Sequence, residues 1–228
     1  MNIFSYLLDP TTWIGPGKTL DLLIEHLAYT VAAVGLGAII AIPLGILVGH
    51  TGRGTFLVIG LTNGARAIPS LGLLVLVVLL LGTGFGKTVF VLMLLALPAI
   101  LTATSAGIAG ADREAVHAAR ALGMTEGQVV SHVELPLALP LVISGLRSAT
   151  LQVVATATVA AFVGGGGLGR LLISGQRSGD YPQMFAGAFL IALMAIVLDL
   201  LLGLVAWLAA RRARPRSKTD AEFALAPA

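Results

Sequence analysis

The 228-residue chain contains no cysteine, and only 11% of its residues are charged. The first absence excludes disulfides, thiol catalysis and cysteine metal sites. The second excludes an ordinary soluble domain, in which about 25% of residues are charged. The formal net charge of +3 is too small to indicate a nucleic-acid partner, and no spacing among the four histidines suggests a metal site.

Apolar sequence makes up most of the chain, since 57% of its residues are hydrophobic and its mean hydropathy is +0.97. A membrane helix needs about 20 apolar residues, and five stretches have that length. We therefore predict an all-α, polytopic membrane protein with about five transmembrane helices. The predicted spans cover residues 27–48, 56–81, 88–111, 141–163 and 184–207, and the second is interrupted by the polar residues 62–66.

Three regions follow from this pattern. Residues 1–25 are predicted to be an extracytoplasmic segment, residues 26–210 the membrane domain, and residues 211–228 a disordered basic tail in the cytoplasm. If the N-terminus lies outside, five spans divide the basic residues nine to four in favour of the inside. Because basic residues accumulate on the cytoplasmic side, this orientation is the predicted one. The inner nine are Arg53, Arg113, Arg120, Arg147, Arg211, Arg212, Arg214, Arg216 and Lys218, and the outer four are Lys18, Lys87, Arg170 and Arg177.

One long charged interruption, residues 111–136, is called the elbow here. Asp112 stands at an N-cap position before a run of good helix formers, and Gly123 is suited to end that helix. Thr125 and Gln128 form a capping-box pattern, which predicts a second short helix that should end near Pro136. The elbow is therefore predicted to be two helices joined by a glycine turn on the membrane surface.

The spacing within the elbow resembles the cytoplasmic EAA loop of ABC importer permeases. The run HAA at residues 117–119 is followed after three residues by Gly123, and after nine more by VELP at residues 133–136. The family pattern has Glu-Ala-Ala, Gly and Ile-x-Leu-Pro at this spacing. His117 replaces the usual glutamate, and Glu114 lies one helical turn earlier, where it could substitute.

This resemblance implies the type I fold of ABC importer permeases and a coupling role for the elbow. ATP and its magnesium would be bound by a separate pair of ATP-binding cassette ATPase subunits. This chain would then be a transport subunit without a cofactor of its own, and not an enzyme. Movement of the elbow with the ATPase would rotate the fourth span and alternate access to the pathway. The implied coupling residues are Glu114, His117, Ala118, Ala119, Gly123, Leu135 and Pro136.

Two other segments, AIPSLGLL at residues 67–74 and FVGGGGLG at residues 162–169, resemble the osmoprotectant branch of these permeases. That branch imports glycine betaine, choline, carnitine or related compounds across the bacterial cell membrane. The implied partners are the ATPase dimer, a second permease subunit that is identical or a sister chain, an extracytoplasmic substrate-binding protein and membrane lipid. With only 6% aromatic residues, the chain offers no evident cage for a quaternary ammonium group.

Two alternative functions stay open at this point. A permease of the methionine type, or one for another small amino acid, has a similar size. A secondary carrier or channel belongs to a different class, but the chain shows no duplicated inverted half and no ion-relay chain of acidic residues.

Polar residues inside the predicted spans are costly to bury and are candidates for function. The fourth span carries a polar stripe with four-residue spacing, Ser148, Gln152 and Thr156, which either lines a translocation path or packs against another helix. Asp199 in the fifth span could pair with Arg147 or Arg66, which would offset the desolvation of both charges. The alternative is that the arginines reach the lipid headgroups.

Overall fold

The structure is a computed structural model that describes residues 3–213. Every element in this range is helical, and residues 211–213, predicted to belong to the tail, are part of the last helix; residues 214–228 lie outside the described part. The side chains not described within it are those of Ile3, Ser5, Leu61, Ala65, Arg66, Ala210, Arg212 and Ala213. The α-helices are α1 (Ile3–Leu8), α2 (Pro10–Trp13), α3 (Thr19–Thr51), α4 (Thr55–Ala67), α5 (Ser70–Leu81), α6 (Phe85–Ala109), α7 (Arg113–Ala121), α8 (Glu126–Val129), α9 (Leu135–Ala160), α10 (Gly169–Ser178) and α11 (Tyr181–Ala213).

Four helical segments of the described residues are long and apolar enough to cross a membrane, namely Thr19–Thr51, Phe85–Ala109, Glu126–Val163 and Tyr181–Ala209. The second predicted span consists of two shorter helices, α4 and α5, which separate at Ile68. Ile68 is extended, with φ −76° and ψ 122°, because the ring of the following proline disfavours a helical conformation. The predicted all-α membrane fold is confirmed. Its second span is interrupted at the proline, however, and not at the polar residues 62–66, which are helical.

The first membrane helix begins at Thr19, earlier than its apolar sequence predicted. The charged residues Asp21 and Glu25 lower the hydropathy of this region without opposing helix formation. Asp21 lies in the first turn of α3, and its carboxylate accepts a hydrogen bond from the backbone N–H of Gly17 at 3.0 Å. An acidic side chain at this end interacts favourably with the helix dipole, so the helix extends beyond the apolar stretch.

The expected end of the elbow's second helix at Pro136 is wrong. One helical segment continues from Glu126 to Val163. Between α8 and α9 lies a wide π turn, Val130–Glu134, where the N–H of Leu135 donates to the carbonyl of Val130, five residues back. Pro136 follows at the start of α9, and the wider turn accommodates both its ring and its missing N–H. The elbow is therefore continuous with the fourth span.

Close helix packing joins the spans: α3 packs along α6, α6 along α9, and α9 along α11. Two glycines bring α3 against α6. A Cβ atom at Gly45 would lie 2.7 Å from the Cβ of Thr104, and one at Gly49 would lie 2.6 Å from the carbonyl oxygen of Ser105. The two glycines are four residues apart, as in the small-residue pairs that pack membrane helices. The C-terminal end of α3 is thus fixed against α6.

Large apolar side chains cover much of the outer surface. On α11, Phe185, Phe189, Leu200 and Leu204 each keep more than half of their surface exposed. Apolar patches of this extent are rare on soluble monomers. The surface suits the hydrocarbon interior of a membrane or contact with a second membrane subunit.

Candidate functional site: the elbow and the two ends of the first membrane helix

The elbow folds as a helical hairpin, as its sequence predicts. The Asp112 carboxylate accepts a hydrogen bond from the N–H of Glu114 at 2.8 Å, which caps α7. Gly123 ends that helix in the left-handed conformation, with φ +83°, where a side chain would be strained. The side-chain oxygen of Gln128 then accepts from the N–H of Thr125 at 2.8 Å, which completes the predicted capping box.

A small apolar cluster holds the two helices of the hairpin together. Val116 and Ala119 of α7 pack against Val129 of α8, and all three side chains are buried. Ala119 therefore faces the inside of the elbow. Ala118 is exposed on the other face of α7, as are the side chains of Glu114 and His117. Of the two alanines, only Ala118 is placed to allow the close approach of another protein.

A chain of polar contacts connects the elbow to the end of α3. His50 Nδ1 lies 2.7 Å from a carboxylate oxygen of Glu134, and His50 Nε2 lies 3.2 Å from a carboxylate oxygen of Glu126. Arg120 of α7 in turn donates to both carboxylate oxygens of Glu126, at 3.0 and 2.9 Å. The side chains of His50 and Glu134 are only 15% and 7% exposed. This network locks the hairpin, the π turn and the first membrane helix into one unit.

Sequence reasoning did not find this network. His50 and Glu134 are 84 positions apart, and no local spacing links them. The one available signal was that both are polar and border apolar spans. His117, Arg120 and Glu134 also line a cavity of about 250 Å³ next to the end of α3.

The VELP run at residues 133–136 joins the elbow to the membrane core. Leu135 is partly buried and packs against a cluster formed by Ile108 of α6 and Ala138 and Val142 of α9. Pro136 is exposed at the start of α9. A displacement of the elbow would therefore act directly on α9 and, through Leu135, on α6.

An ion pair lies within the spans. Arg147 of α9 donates two hydrogen bonds to Asp199 of α11, from Nε at 2.9 Å and from a terminal nitrogen at 2.7 Å. This two-point geometry is the strong form of an arginine–carboxylate contact. The structure thus places Asp199 against Arg147. Arg66, the other candidate, lies in α4, and its side chain is outside the described part.

The polar stripe of the fourth span is divided between two environments. Ser148 and Gln152 are exposed on the surface of α9. Thr156 is buried, and its hydroxyl donates to the carbonyl of Gln152, one turn earlier, at 2.8 Å. Thr156 therefore has a hydrogen-bond acceptor within its own helix, whereas Gln152 can face a pathway or a partner.

At the opposite end of α3, a glycine-rich loop wraps around two polar side chains. The N–H of Gly167 donates to the Glu25 carboxylate at 2.8 Å, and the N–H of Leu168 donates to His26 Nδ1 at 3.2 Å. A Cβ atom at Gly166 would overlap the Glu25 carboxylate. Gly166 and Gly167 of the FVGGGGLG run thus have a structural reason, because a side chain at either position would meet Glu25 or His26.

The same arrangement of spans occurs in solved transporters. The chain is similar to a subunit in an inward-facing structure of the MetNI methionine ABC transporter, with a TM-score of 0.71, 24% identity, and coverage of 86% of this chain and 96% of that one. The fold and the elbow define a membrane permease of the ABC-importer class. The chain belongs to the family described as the binding-protein-dependent transport system inner membrane component, which matches residues 41–215.

Several relatives are similar along most of their length. The glycine betaine/carnitine/choline transport system permease protein OpuCD of Bacillus subtilis is 35% identical over 92% of this chain and 90% of its own. The choline transport system permease protein OpuBB of the same species is 34% identical over 82% of this chain and 86% of its own. The osmoprotectant import permease protein OsmW of Salmonella typhimurium is 35% identical over 89% of this chain and 94% of its own.

Proposed function

We propose that this chain is the membrane subunit of an ATP-driven importer for osmoprotectants such as glycine betaine, choline or carnitine. The geometric observation that carries the transport mechanism is the elbow, a rigid hairpin with one exposed helix face and direct connections to α3, α6 and α9. The substrate class rests on the similarity to permeases named for these compounds. Substrate would be delivered by an extracytoplasmic binding protein.

Coupling would begin on the exposed face of α7. Glu114, His117 and Ala118 would contact a groove on an ATP-binding cassette ATPase, which binds ATP and magnesium on its own chain. Gly123 lets the chain reverse so that α7 projects from the membrane surface. When the ATPase pair closes on ATP, the hairpin would move as a body because its interior is packed and its side-chain contacts with His50 connect it to α3. Leu135 and Pro136 would pass that movement to α9.

The proposed orientation places the elbow in the cytoplasm and the glycine-rich loop outside. The predicted division of basic residues, nine inside and four outside, supports this orientation. At 1.5 Å per residue, the 33 residues of α3 extend about 50 Å, which is enough to cross the hydrocarbon core and separate the two ends fully.

The pathway would form between two permease subunits, either identical or a sister pair. Ser148 and Gln152 are exposed on α9 and would contribute polar groups to its wall, with Thr156 buried behind them. The pair of Arg147 and Asp199 would keep α9 and α11 together during the movement. Leaving one of these charges without its partner inside the membrane would be costly.

Uptake of labelled glycine betaine tests this proposal most simply. The chain is expressed with its ATPase and binding protein in cells that lack other betaine carriers, with unlabelled choline, carnitine and methionine as competitors. We expect saturable uptake that is blocked by the quaternary ammonium compounds and unaffected by methionine. Inhibition by methionine alone would favour the amino-acid permease alternative, to which the fold similarity also points.

A further inference from the structure

A cavity of about 810 Å³ opens at the glycine-rich end of α3. It lies between the start of α3, the loop before α6, the glycine-rich loop and α10. Its walls carry three aromatic rings and three charged side chains, namely Tyr29, Phe85, Phe162, Glu25, Arg170 and Arg177. No role in the coupling described above requires this combination.

The aromatic part of the wall is preorganised. The rings of Tyr29 and Phe85 are stacked, with centroids 4.8 Å apart and an interplanar angle of 22°. Phe85 and Phe162 keep about half of their surface exposed, at 48% and 57%. Aromatic faces attract cations, and quaternary ammonium groups are recognised in this way because they cannot donate hydrogen bonds. Glu25 lies beside the rings and supplies a negative charge.

The opposite part of the wall is basic. Arg170 and Arg177 lie on α10, are both exposed and line the same cavity. With Glu25, the charged side chains of the wall sum to +1. A ligand with only a positive charge would therefore be repelled by the guanidinium groups of Arg170 and Arg177. A ligand with only a negative charge would be repelled by the carboxylate of Glu25.

From these charges and aromatic rings we infer that the cavity binds zwitterions that carry both a quaternary ammonium group and a carboxylate. The ammonium group lies against Phe85 and Phe162 near Glu25, and the carboxylate faces Arg170 and Arg177. The inference rests on the proposed function and deepens it. Within the osmoprotectants, it assigns this permease to betaine-type compounds such as glycine betaine and carnitine over choline, which has no carboxylate.

Thiol protection tests this inference, because the chain has no cysteine of its own. Ser178 lines the cavity, and its hydroxyl contacts only backbone carbonyls of its own helix, so Ser178→Cys is a mild change. Gln176→Cys is the matched control on the same helix, exposed but outside the cavity lining. The rate of N-ethylmaleimide labelling is measured on the assembled permease–ATPase complex with glycine betaine, choline or methionine.

We expect glycine betaine to slow labelling at Ser178→Cys and not at Gln176→Cys. Choline lacks the carboxylate, methionine lacks the quaternary ammonium group, and both should protect about fivefold less, as expected for the loss of one exposed charge or cation–π contact. Adding Arg170→Gln and Arg177→Gln should abolish the preference for glycine betaine over choline. Adding Phe85→Leu and Phe162→Leu should instead weaken protection by both compounds.

The proposed import function and the inferred binding site are tested separately, by measuring the uptake of glycine betaine by the same complex with its binding protein. Uptake without any selective protection at Ser178→Cys would overturn the assignment of the cavity as a binding site and leave the proposed function standing. Equal protection by choline and glycine betaine would overturn the zwitterion assignment. Protection without uptake would contradict the proposed function while upholding the site, and the absence of both would contradict both.

Discussion

The two ends of α3 are held by contacts of opposite kinds. At its start, Glu25 and His26 accept hydrogen bonds from backbone N–H groups of the glycine-rich loop, at 2.8 and 3.2 Å. At its end, His50 contacts the side chains of Glu134 and Glu126, at 2.7 and 3.2 Å. The first end is held by backbone donors of the loop, which has no side chain at Gly166 and Gly167, where one would meet Glu25 or His26. The second is held by contacts between side chains.

This difference corresponds to two mechanical roles. Side-chain pairs and an apolar cluster make the elbow end a packed unit, which under the proposed coupling would pass displacement to α3 and α9. The other end is a loop fitted around Glu25 next to an open cavity, and glycines let its backbone approach that carboxylate. The helix α3 therefore connects the packed elbow to the cavity beside the glycine-rich loop.

The largest effect is expected where the glycine-rich end has no room for a side chain. Gly169→Val, at the end of the FVGGGGLG run, would place a Cβ atom in overlap with the backbone carbonyl oxygen of Thr158, which cannot turn aside as a flexible side chain can, and overpacking of this kind costs about 1–3 kcal/mol or more. We expect a lower thermal unfolding temperature in detergent and loss of uptake.

Gly86→Val is the control, because a Cβ atom there meets no other atom within 4 Å and the residue lies at the same end of the molecule. Equal stability and uptake in the two variants would show that the close packing of the glycine-rich segment does not contribute to stability.

A smaller but more selective effect is expected at the elbow end. Glu134→Ala leaves the His50 side chain, which is only 15% exposed, without its nearest acceptor, which costs about 1–3 kcal/mol. Because the elbow would then be released from α3, we expect ATP hydrolysis by the assembled complex to continue while uptake falls. The exposed Ser131 of the same π turn is the matched control, because its hydroxyl contacts only neighbouring residues of the elbow, and Ser131→Ala should not loosen the connection to α3. If Glu134→Ala retained fully coupled uptake, the network would not transmit the movement.

The smallest of the three effects is expected between the ends, at the partly exposed pair of Arg147 and Asp199. Arg147→Ala should lower uptake several-fold by leaving a carboxylate alone within the spans. The exchanged pair Arg147→Asp with Asp199→Arg should recover most of that loss, because the attraction between α9 and α11 is retained. A double variant no better than the weaker single variant would show that the pairing itself is unimportant.

The parts of this structure that could be predicted are local in sequence. The cap at Asp112, the turn at Gly123 and the capping box of Thr125 each depend on residues within a few positions, so the sequence specifies them directly. The spans follow from apolar length. Hydropathy could not show that α3 begins before its apolar stretch, because Asp21 and Glu25 are charged but compatible with a helix.

The parts that could not be predicted depend on distant residues or on backbone geometry. The contact of His50 with Glu134 joins positions 84 apart, and that of Glu25 with Gly167 joins positions 142 apart. The continuation of the helix through Pro136 depends on a π turn, which no pattern of residues in the sequence predicts. The aromatic wall of the cavity likewise combines Tyr29, Phe85 and Phe162 from three separate elements, so a low aromatic content did not exclude it.

Cross-linking from the elbow to the ATPase subunit tests the central claim most directly. A maleimide photo-cross-linker is attached to Ala118→Cys, on the exposed face of α7, or to Thr55→Cys, exposed at the start of α4 outside the elbow. In the assembled transporter, the account predicts a cross-link to the ATPase from position 118, with a yield that changes on ATP binding, and none from position 55. If the cross-linker is attached at both positions and position 118 gives no cross-link to the ATPase, the proposed contact between α7 and the ATPase is contradicted.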